Sequence, residues 1–282
     1  IQRVKELFVE YNIKPYDKVT HRGNIKHILT KKGYHSEEFM LCFITYQKTI
    51  KHIDQIVEIL IQEFPHIKTI IQNINERHDN VILGDEEKIL YGKGYIYDTL
   101  LDNQYKISLK SFYQINPIQV EKLYQTAIDL AHINQDSVVL DAYCGIGTIT
   151  LSLAKHVKKV YGVEVVPQAI EDAKNNALLN KIDNAEFVCD DAGKYMVELV
   201  KKNTHLDVVF VDPPRKGCSE EFLEHLLQAS PKEIIYISCD VATQARDAKY
   251  LNEHGYTITH CQPVDMFPHT FHVETVCLLS RK

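Results

Sequence analysis

Leu140-Asp141-Ala142-Tyr143-Cys144-Gly145-Ile146-Gly147-Thr148 is the stretch on which the fold turns. An apolar run, 138–141, ends on a carboxylate, a Gly-x-Gly follows, and a run with helical spacing begins. Glycine lets the backbone come close to a ligand and take positive φ, so the layout is strand, nucleotide-type loop, helix. The loop lacks the third glycine of a dinucleotide fingerprint. Glu164 supplies the second half of the signal, 23 residues after Asp141 and at the end of the next apolar run, 159–164. An acidic side chain there accepts hydrogen bonds from both ribose hydroxyls of a nucleoside cofactor. The plainer reading is a tight turn plus a strand-end carboxylate. Nicotinamide dinucleotide competes as the ligand, although Tyr143-Cys144 fills space that a pyrophosphate loop would keep lean.

Outward from this loop, strand-like and helix-like runs alternate. Strands are expected at 138–141, 159–164, 185–189, 208–212, 234–238, 256–264 and 273–280. Helices are expected at 118–131, opened by Asn116-Pro117, and at 148–155, 168–180, 194–203, 220–228 and 243–254. Alternation of this kind makes a mostly parallel, doubly wound α/β sheet. The last two strands have no helix between them and are expected to pair antiparallel. The first third reads differently: a helix at 1–11 with Val4, Leu7, Phe8 and Tyr11 on one face, strands at 25–29 and 39–45, a helix at 50–64, and short strands at 69–73, 88–91 and 105–109. The expected division is a small α+β domain over 1–105 and a larger α/β domain over 106–282.

The 282 residues suffice for one large domain or two ordinary ones. No apolar stretch is long enough to span a bilayer, and the start has no signal-peptide layout. Seven cysteines, at 42, 144, 189, 218, 239, 261 and 277, include no Cys-x-x-Cys pair, which leaves zinc and iron–sulfur sites without support. Such a scattered odd set fits a reducing cytoplasm. Cys277, in an apolar run, reads as core. The net charge of −6 argues against a generic nucleic-acid binder, while Lys31, Lys32, Arg215 and Lys216 offer a local basic rim.

Two segments near the end carry chemistry. Ile237-Ser238-Cys239-Asp240-Val241-Ala242-Thr243 puts a thiol just after an apolar strand, and Asp265-Met266-Phe267-Pro268-His269-Thr270-Phe271-His272-Val273-Glu274 puts a carboxylate in another, 35 residues on. A thiol nucleophile with a separate general base does covalent chemistry on an electron-poor ring. Taken alone, Cys239 reads as a buried structural thiol and Glu274 as an edge-strand carboxylate facing water. Between these segments and the glycine loop lies Val211-Asp212-Pro213-Pro214-Arg215-Lys216-Gly217, an acidic strand end followed by a stiff turn.

Together these motifs resemble the RNA uracil-C5 methyltransferase family, most clearly from about Ser111 to the C-terminus and more weakly over 16–105. The resemblance implies an S-adenosylmethionine-dependent methyltransferase (Rossmann-like) sheet with an antiparallel C-terminal strand. It places Asp141, Tyr143, Gly145 and Glu164 in the cofactor loop, with Asp190 or, preferred, Asp191 near the adenine amino group. For Asp191 a helix cap is the alternative. Gln114, in Ser111-Phe112-Tyr113-Gln114-Ile115-Asn116, is implied to face both cofactor and target base, where an amide offers a donor and an acceptor together. Phe112, Arg215 and His272 are implied on the substrate side, and Asp212 at the cofactor. His269 orients the loop or contacts phosphate. Cys239 becomes the nucleophile that adds to uracil C6, and Glu274 the base that removes the C5 proton. Where family members often read Ser-Cys-Asn-Pro-x-Thr, this chain has Asp240-Val241, and the added carboxylate is expected to raise the thiol pKa. No metal is implied among these residues.

The implied substrate is RNA, of the 23S rRNA 5-methyluridine type, modified in the cytoplasm. A transfer-RNA uracil enzyme, an amino-group nucleobase methyltransferase and a non-catalytic RNA-binding module are the alternatives. Arg215 stands where amino-group enzymes place a stacking aromatic, which favours the uracil chemistry. Family members usually carry an N-terminal β-barrel RNA-binding domain, and some an iron–sulfur cluster. Neither is read here, so part of the RNA-binding surface is expected on a preceding segment.

Overall fold

The computed structural model describes residues 1–282, which fall into two compact units: Ile1–Thr99 with Lys106–Lys110, and Leu100–Tyr105 with Ser111–Lys282. In the first unit the order is α1 (Gln2–Glu10), β1 (Ile25–Lys32), β2 (Phe39–Thr45), α2 (Ile53–Glu63), β3 (Ile67–Ile74) and β4 (Glu86–Gly92). The sheet runs β1-β2-β3-β4, with β2 and β3 parallel across the α2 connection and the outer pairs antiparallel. Val4, Leu7 and Phe8 of α1 and Ile56, Val57 and Leu60 of α2 share a core with Leu41, Phe43 and Ile70, and Phe8 meets Phe43 edge-on at 5.3 Å. Of the expected basic rim, Lys31 donates to Ser108 O, and Lys32 pairs with Glu37 and lies over the Phe39 ring.

A separate two-stranded hairpin joins β5 (Tyr95–Leu100) to β6 (Asn103–Ser108). The sequence reading missed β5. Its turn is Leu101-Asp102, both at positive φ (47° and 67°), a two-residue geometry normally announced by Asn-Gly or Asp-Gly.

The second unit continues with α3 (Pro117–Leu130), β7 (Val138–Ala142), α4 (Thr148–Ala154), β8 (Lys159–Glu164), α5 (Pro167–Leu179), β9 (Ala185–Cys189), α6 (Ala192–Lys201), β10 (Val208–Val211), α7 (Glu220–Ala229), β11 (Glu233–Ser238), α8 (Val241–Glu253), β12 (Tyr256–Val264) and β13 (Glu274–Arg281). The seven-stranded sheet has the order β12-β13-β11-β10-β7-β8-β9. Strands β11, β10, β7, β8 and β9 are parallel, and β13 lies antiparallel between β11 and β12. The strand order reverses between β10 and β7, the position where ligands bind in such sheets. Helices α6, α7 and α8 bury Met196, Leu199, Phe222, Leu226 and Leu251 in one cluster with Leu140, Val209, Ile234 and Tyr236. Edge strand β12 is mostly exposed, contains Pro263 and shifts register between Ile258 and His260.

Two helices begin two residues before their expected starts, each because a carboxylate caps it. Asp191 accepts from Lys194 N at 3.0 Å at the head of α6. Asp240 accepts from Ala242 N at 3.0 Å and Thr243 N at 3.1 Å at the head of α8. An Asp240→Ala variant is therefore expected to lose about 1 kcal/mol of stability, and Asp240→Asn much less, since an amide oxygen also caps. Urea unfolding followed by circular dichroism measures this; equal midpoints for Asp240→Ala and the parent would remove the cap from the account.

Candidate active site

The parallel strands β7, β10 and β11 end at the same edge of the sheet. Their registers pair Val211 with Ala142 and with Tyr236, so Tyr143, Asp212 and Cys239 all emerge there. Strand β13 enters from that edge in the opposite sense, and Ser238 is opposite Thr275. Cys239 follows one member of this pair and Glu274 precedes the other, so residues 35 apart in sequence become neighbours. The pair is pinned from α8: Thr275 Oγ1 donates to Gln244 Oε1 at 2.5 Å, and Gln244 Nε2 donates to Tyr236 O at 2.9 Å.

Glu274 is 6% exposed, and burial raises its carboxyl pKa while Arg215 opposes the shift. Cys239 is half-buried; burial raises its thiol pKa, Glu274 and Asp212 add to the rise, and Arg215 lowers it. The expectation that Asp240 would be the acid pressing on the thiol is corrected here. Its side chain is turned onto the α8 amides, and the pressing carboxylates are Glu274 and Asp212. Asp212 as a residue is half-buried with its carboxyl deep, and burial, then Glu274 and Asp141, push it up to about 8. Asp141 is fully buried and is pushed up to about 7, first by burial; Thr150 Oγ1 donates to its Oδ2 at 2.5 Å and counters part of the shift.

Arg215 is exposed, but the loop that carries it is fixed from α8. Asp247, 1% exposed, accepts from Cys218 N at 2.8 Å and from the Tyr236 hydroxyl at 2.7 Å. Arg246 donates to Asp247 Oδ1 and to the carbonyls of Lys216 and Cys218, while Thr243 Oγ1 donates to Arg215 O. Gly217 has φ +73°, and a Cβ there would lie 2.6 Å from Asp247 Oδ2, so this close approach requires glycine.

In the glycine loop Tyr143 is at φ 66° and Gly145 at φ 54°. The Tyr143 ring packs on Phe222 at 5.4 Å, and burial, then the neighbouring Cys218, raise the pKa of its hydroxyl, so the ring forms a wall of the core as well as of the loop. A Cβ at Gly145 would meet nothing within 4 Å, which leaves open space beside the loop. Glu164 is half-buried and accepts from Val166 N with Oε1 at 3.0 Å. Asp191 is exposed and caps α6, and Asp190 Oδ1 accepts from Asp191 N at 2.7 Å.

Gln114 is half-buried; burial, then the Asp212 charge, raises the pKa of the Tyr124 hydroxyl on α3, and Thr148 and Gln114 counter part of the rise. Sequence reasoning missed Tyr124, Thr150, Arg246 and Asp247. The first two lie inside helical apolar stripes, where a hydroxyl gives no separate signal. Phe112 is 75% exposed, and Asn116 Nδ2 donates to Met266 O at 3.0 Å, tying this segment to the loop before β13. In that loop His269 has φ 67° and is exposed, and His272 is half-buried against the Phe271 ring. Cys277 is buried as expected, with its Sγ 2.7 Å from that of Cys261 across the β12–β13 pair. No group of three or more His, Cys, Asp or Glu is placed to hold a metal ion, and no helix is long and apolar enough to cross a membrane.

Comparison with known proteins places this chain in a family. Residues 36–282 match the model of the tRNA (Uracil-5-)-methyltransferase family. Uncharacterized RNA methyltransferases of Streptococcus mutans and Oceanobacillus iheyensis are 48% and 46% identical, over 100% and 99% of this chain and 62% and 61% of their own lengths. The chain thus spans about six-tenths of these curated relatives. The solved tRNA (uracil-54, C5)-methyltransferase of Pyrococcus abyssi, in complex with S-adenosyl-L-homocysteine, superposes with a TM-score of 0.84 at 31% identity, covering 99% of this chain and 65% of that one. A S. mutans S-adenosylmethionine-dependent methyltransferase, at 14% identity and a TM-score of 0.59, shares the fold. By the extent of these matches, the chain belongs to the tRNA (uracil-5-)-methyltransferase family.

Proposed function

We propose that this protein methylates C5 of a uridine in RNA, with Cys239 as covalent nucleophile and Glu274 as base. The observation that carries the reading is the register of β11 against β13, which sets a thiol and a buried carboxylate side by side at the ligand-binding edge. Uracil C5 is a poor nucleophile. Attack of the Cys239 thiolate on C6 forms an S–C6 bond and moves the ring electrons onto C5 and the carbonyl. C5 then takes the methyl group. Glu274 accepts the C5 proton, the S–C6 bond breaks, the C5–C6 double bond re-forms and the thiolate leaves. A buried carboxylate with a raised pKa is a stronger base than one in water, which suits this task. An amino-group methyltransferase needs no nucleophile beside its base.

The residues present fit S-adenosylmethionine. Asp141 Oδ1 is buried without a hydrogen-bond partner, and the space beside Gly145 is open. The carboxylates of Glu164 and Asp191 suit ribose hydroxyls and the adenine amino group, and Gln114, Tyr143, Gly145 and Asp212 complete the cofactor set. When bound, the cofactor supplies an electrophilic methyl group on a sulfonium. The acidic surroundings of Asp141 and Asp212 favour that positive charge. On the substrate side we assign Phe112, Gln114, Arg215 and His272. The RNA we propose is 23S rRNA, the type the sequence motifs resemble. Transfer RNA is the second reading, favoured by the Pyrococcus abyssi relative. Mapping 5-methyluridine in both RNAs from cells lacking the gene decides between them.

Cys239→Ala is expected to abolish methyl transfer to RNA while S-adenosylmethionine affinity stays near the parent value. Turnover by the purified variant would remove Cys239 from the mechanism.

Glu274→Gln keeps the shape and loses the base, so elimination stalls after methylation. Denaturing gels with labelled RNA should show a slow-migrating protein–RNA adduct, and its absence from a folded, RNA-binding variant would count against the assignment.

The pH profile follows from Arg215. Its charge lowers the Cys239 pKa, so removing it raises that pKa and shrinks the thiolate fraction at any given pH. In Arg215→Gln the rising limb of kcat/KM against pH should shift to higher pH, and Arg215→Lys should restore most of the shift. A profile unchanged in Arg215→Gln would mean that the guanidinium does not act on the thiol.

A further inference from the structure

We infer that Phe271, braced by His272, is a stacking platform for a nucleobase flanking the target uridine, an inference that rests on the RNA-uridine reading above. Phe271 is 90% exposed, although a phenyl ring gains from leaving water. The ring is held by its surroundings. It lies 4.2 Å from the His272 ring at 41°, and the loop beneath it is cross-braced. Thr270 N and Oγ1 both donate to Phe267 O, and His272 N donates to Thr270 Oγ1. Met266, at the loop's root, is fully buried and its carbonyl is held by Asn116 Nδ2.

The position selects the occupant. Phe271 and Glu274 are three steps apart along the chain, so their Cα atoms are at most ~11 Å apart. That is the span of a few stacked bases, and the chain is climbing from a buried catalytic carboxylate to a fully wetted ring. The target uridine must sit deep enough to put C6 against Cys239. The base that meets Phe271 is therefore a neighbour one or two nucleotides away. Extruding a uridine unstacks its neighbours at a cost of a few kcal/mol. An aromatic face beside the point of extrusion restores a stacking surface to one of them, and it accepts any base because every base has a π face. The exposed Arg215 and Lys216 give the adjoining backbone a cationic contact. A protein partner would need a broader apolar patch, whereas Phe271 stands beside the polar His269 and Thr270.

The chain contains no tryptophan, so Phe271→Trp introduces a single indole at the platform, which red-edge excitation reads apart from the tyrosines. Titration with octauridylate should quench it, and an abasic ribose-phosphate oligomer of the same length, bound through phosphates alone, should not. With total RNA from cells lacking the gene as methyl acceptor, Phe271→Ala should raise the KM for RNA about tenfold, more than it lowers kcat, and Phe271→Tyr should recover it. Equal quenching by both oligomers, no binding of octauridylate by the parent chain as read by anisotropy, or an unchanged KM in Phe271→Ala overturns the inference. The two readings fail separately. Quenching by octauridylate without methyl transfer to uracil C5 leaves the platform and removes the reaction, whereas C5 methylation at unchanged KM in Phe271→Ala leaves the reaction and removes the platform.

Discussion

An antiparallel strand slotted between two parallel ones reverses the direction in which the chain meets the sheet's ligand-binding edge. In a wholly parallel sheet, every residue arriving at that edge follows a strand. With β13 inserted beside β11, one residue at the edge precedes its strand, and Glu274 is placed next to Cys239 by backbone pairing. The alignment is set by hydrogen-bonded register, which a side-chain rotation cannot undo. A slip of one residue would turn Glu274 to the opposite face of the sheet. The Thr275–Gln244–Tyr236 chain of hydrogen bonds holds the register from the helix that follows Cys239.

The same edge concentrates acid. Asp141, Asp212 and Glu274 each have a pKa raised above the ordinary carboxylate range, and burial is the first cause for all three. Such a cluster opposes formation of a thiolate and welcomes a cationic ligand. Arg215 is the counterweight, lowering both the thiol and Glu274. Its placement depends on Asp247, a buried carboxylate whose oxygens are used by a backbone amide, a phenol and a guanidinium. A charge buried this way is costly unless each bond is made, so the loop that bears Arg215 has little freedom to shift.

The sequence revealed the parts of the fold that have a period. Alternating apolar runs marked the strands of the large sheet, and the Asp141-to-Glu164 spacing marked the ends of the neighbouring parallel strands β7 and β8. The neighbourhood of Cys239 and Glu274 came only through motif resemblance, because their meeting depends on strand order, which no local pattern encodes. Strand β5 escaped because Leu101-Asp102 adopts a turn without the residues that usually signal it. Asp240 was read as a neighbour of the thiol, whereas its backbone position made it a cap; an N-cap and an active-site acid look alike until the start of the helix is known. Tyr124 and Asp247 were missed for a related reason. Their roles lie in partners distant along the chain, and buried hydroxyls and carboxylates are invisible to hydropathy.

Strand β12 bounds the sheet with one side unpaired. An exposed strand edge is a template for another chain, and a seven-stranded sheet presents such a template at full length. Here the free strand is wet along most of its course, carries a proline that has no N–H to offer, and breaks step at Ile258–His260. Each of these spoils a straight ladder. The strand that completes the sheet around β13 therefore also ends it, and the register that brings Cys239 to Glu274 is built at this margin without inviting strand addition or aggregation.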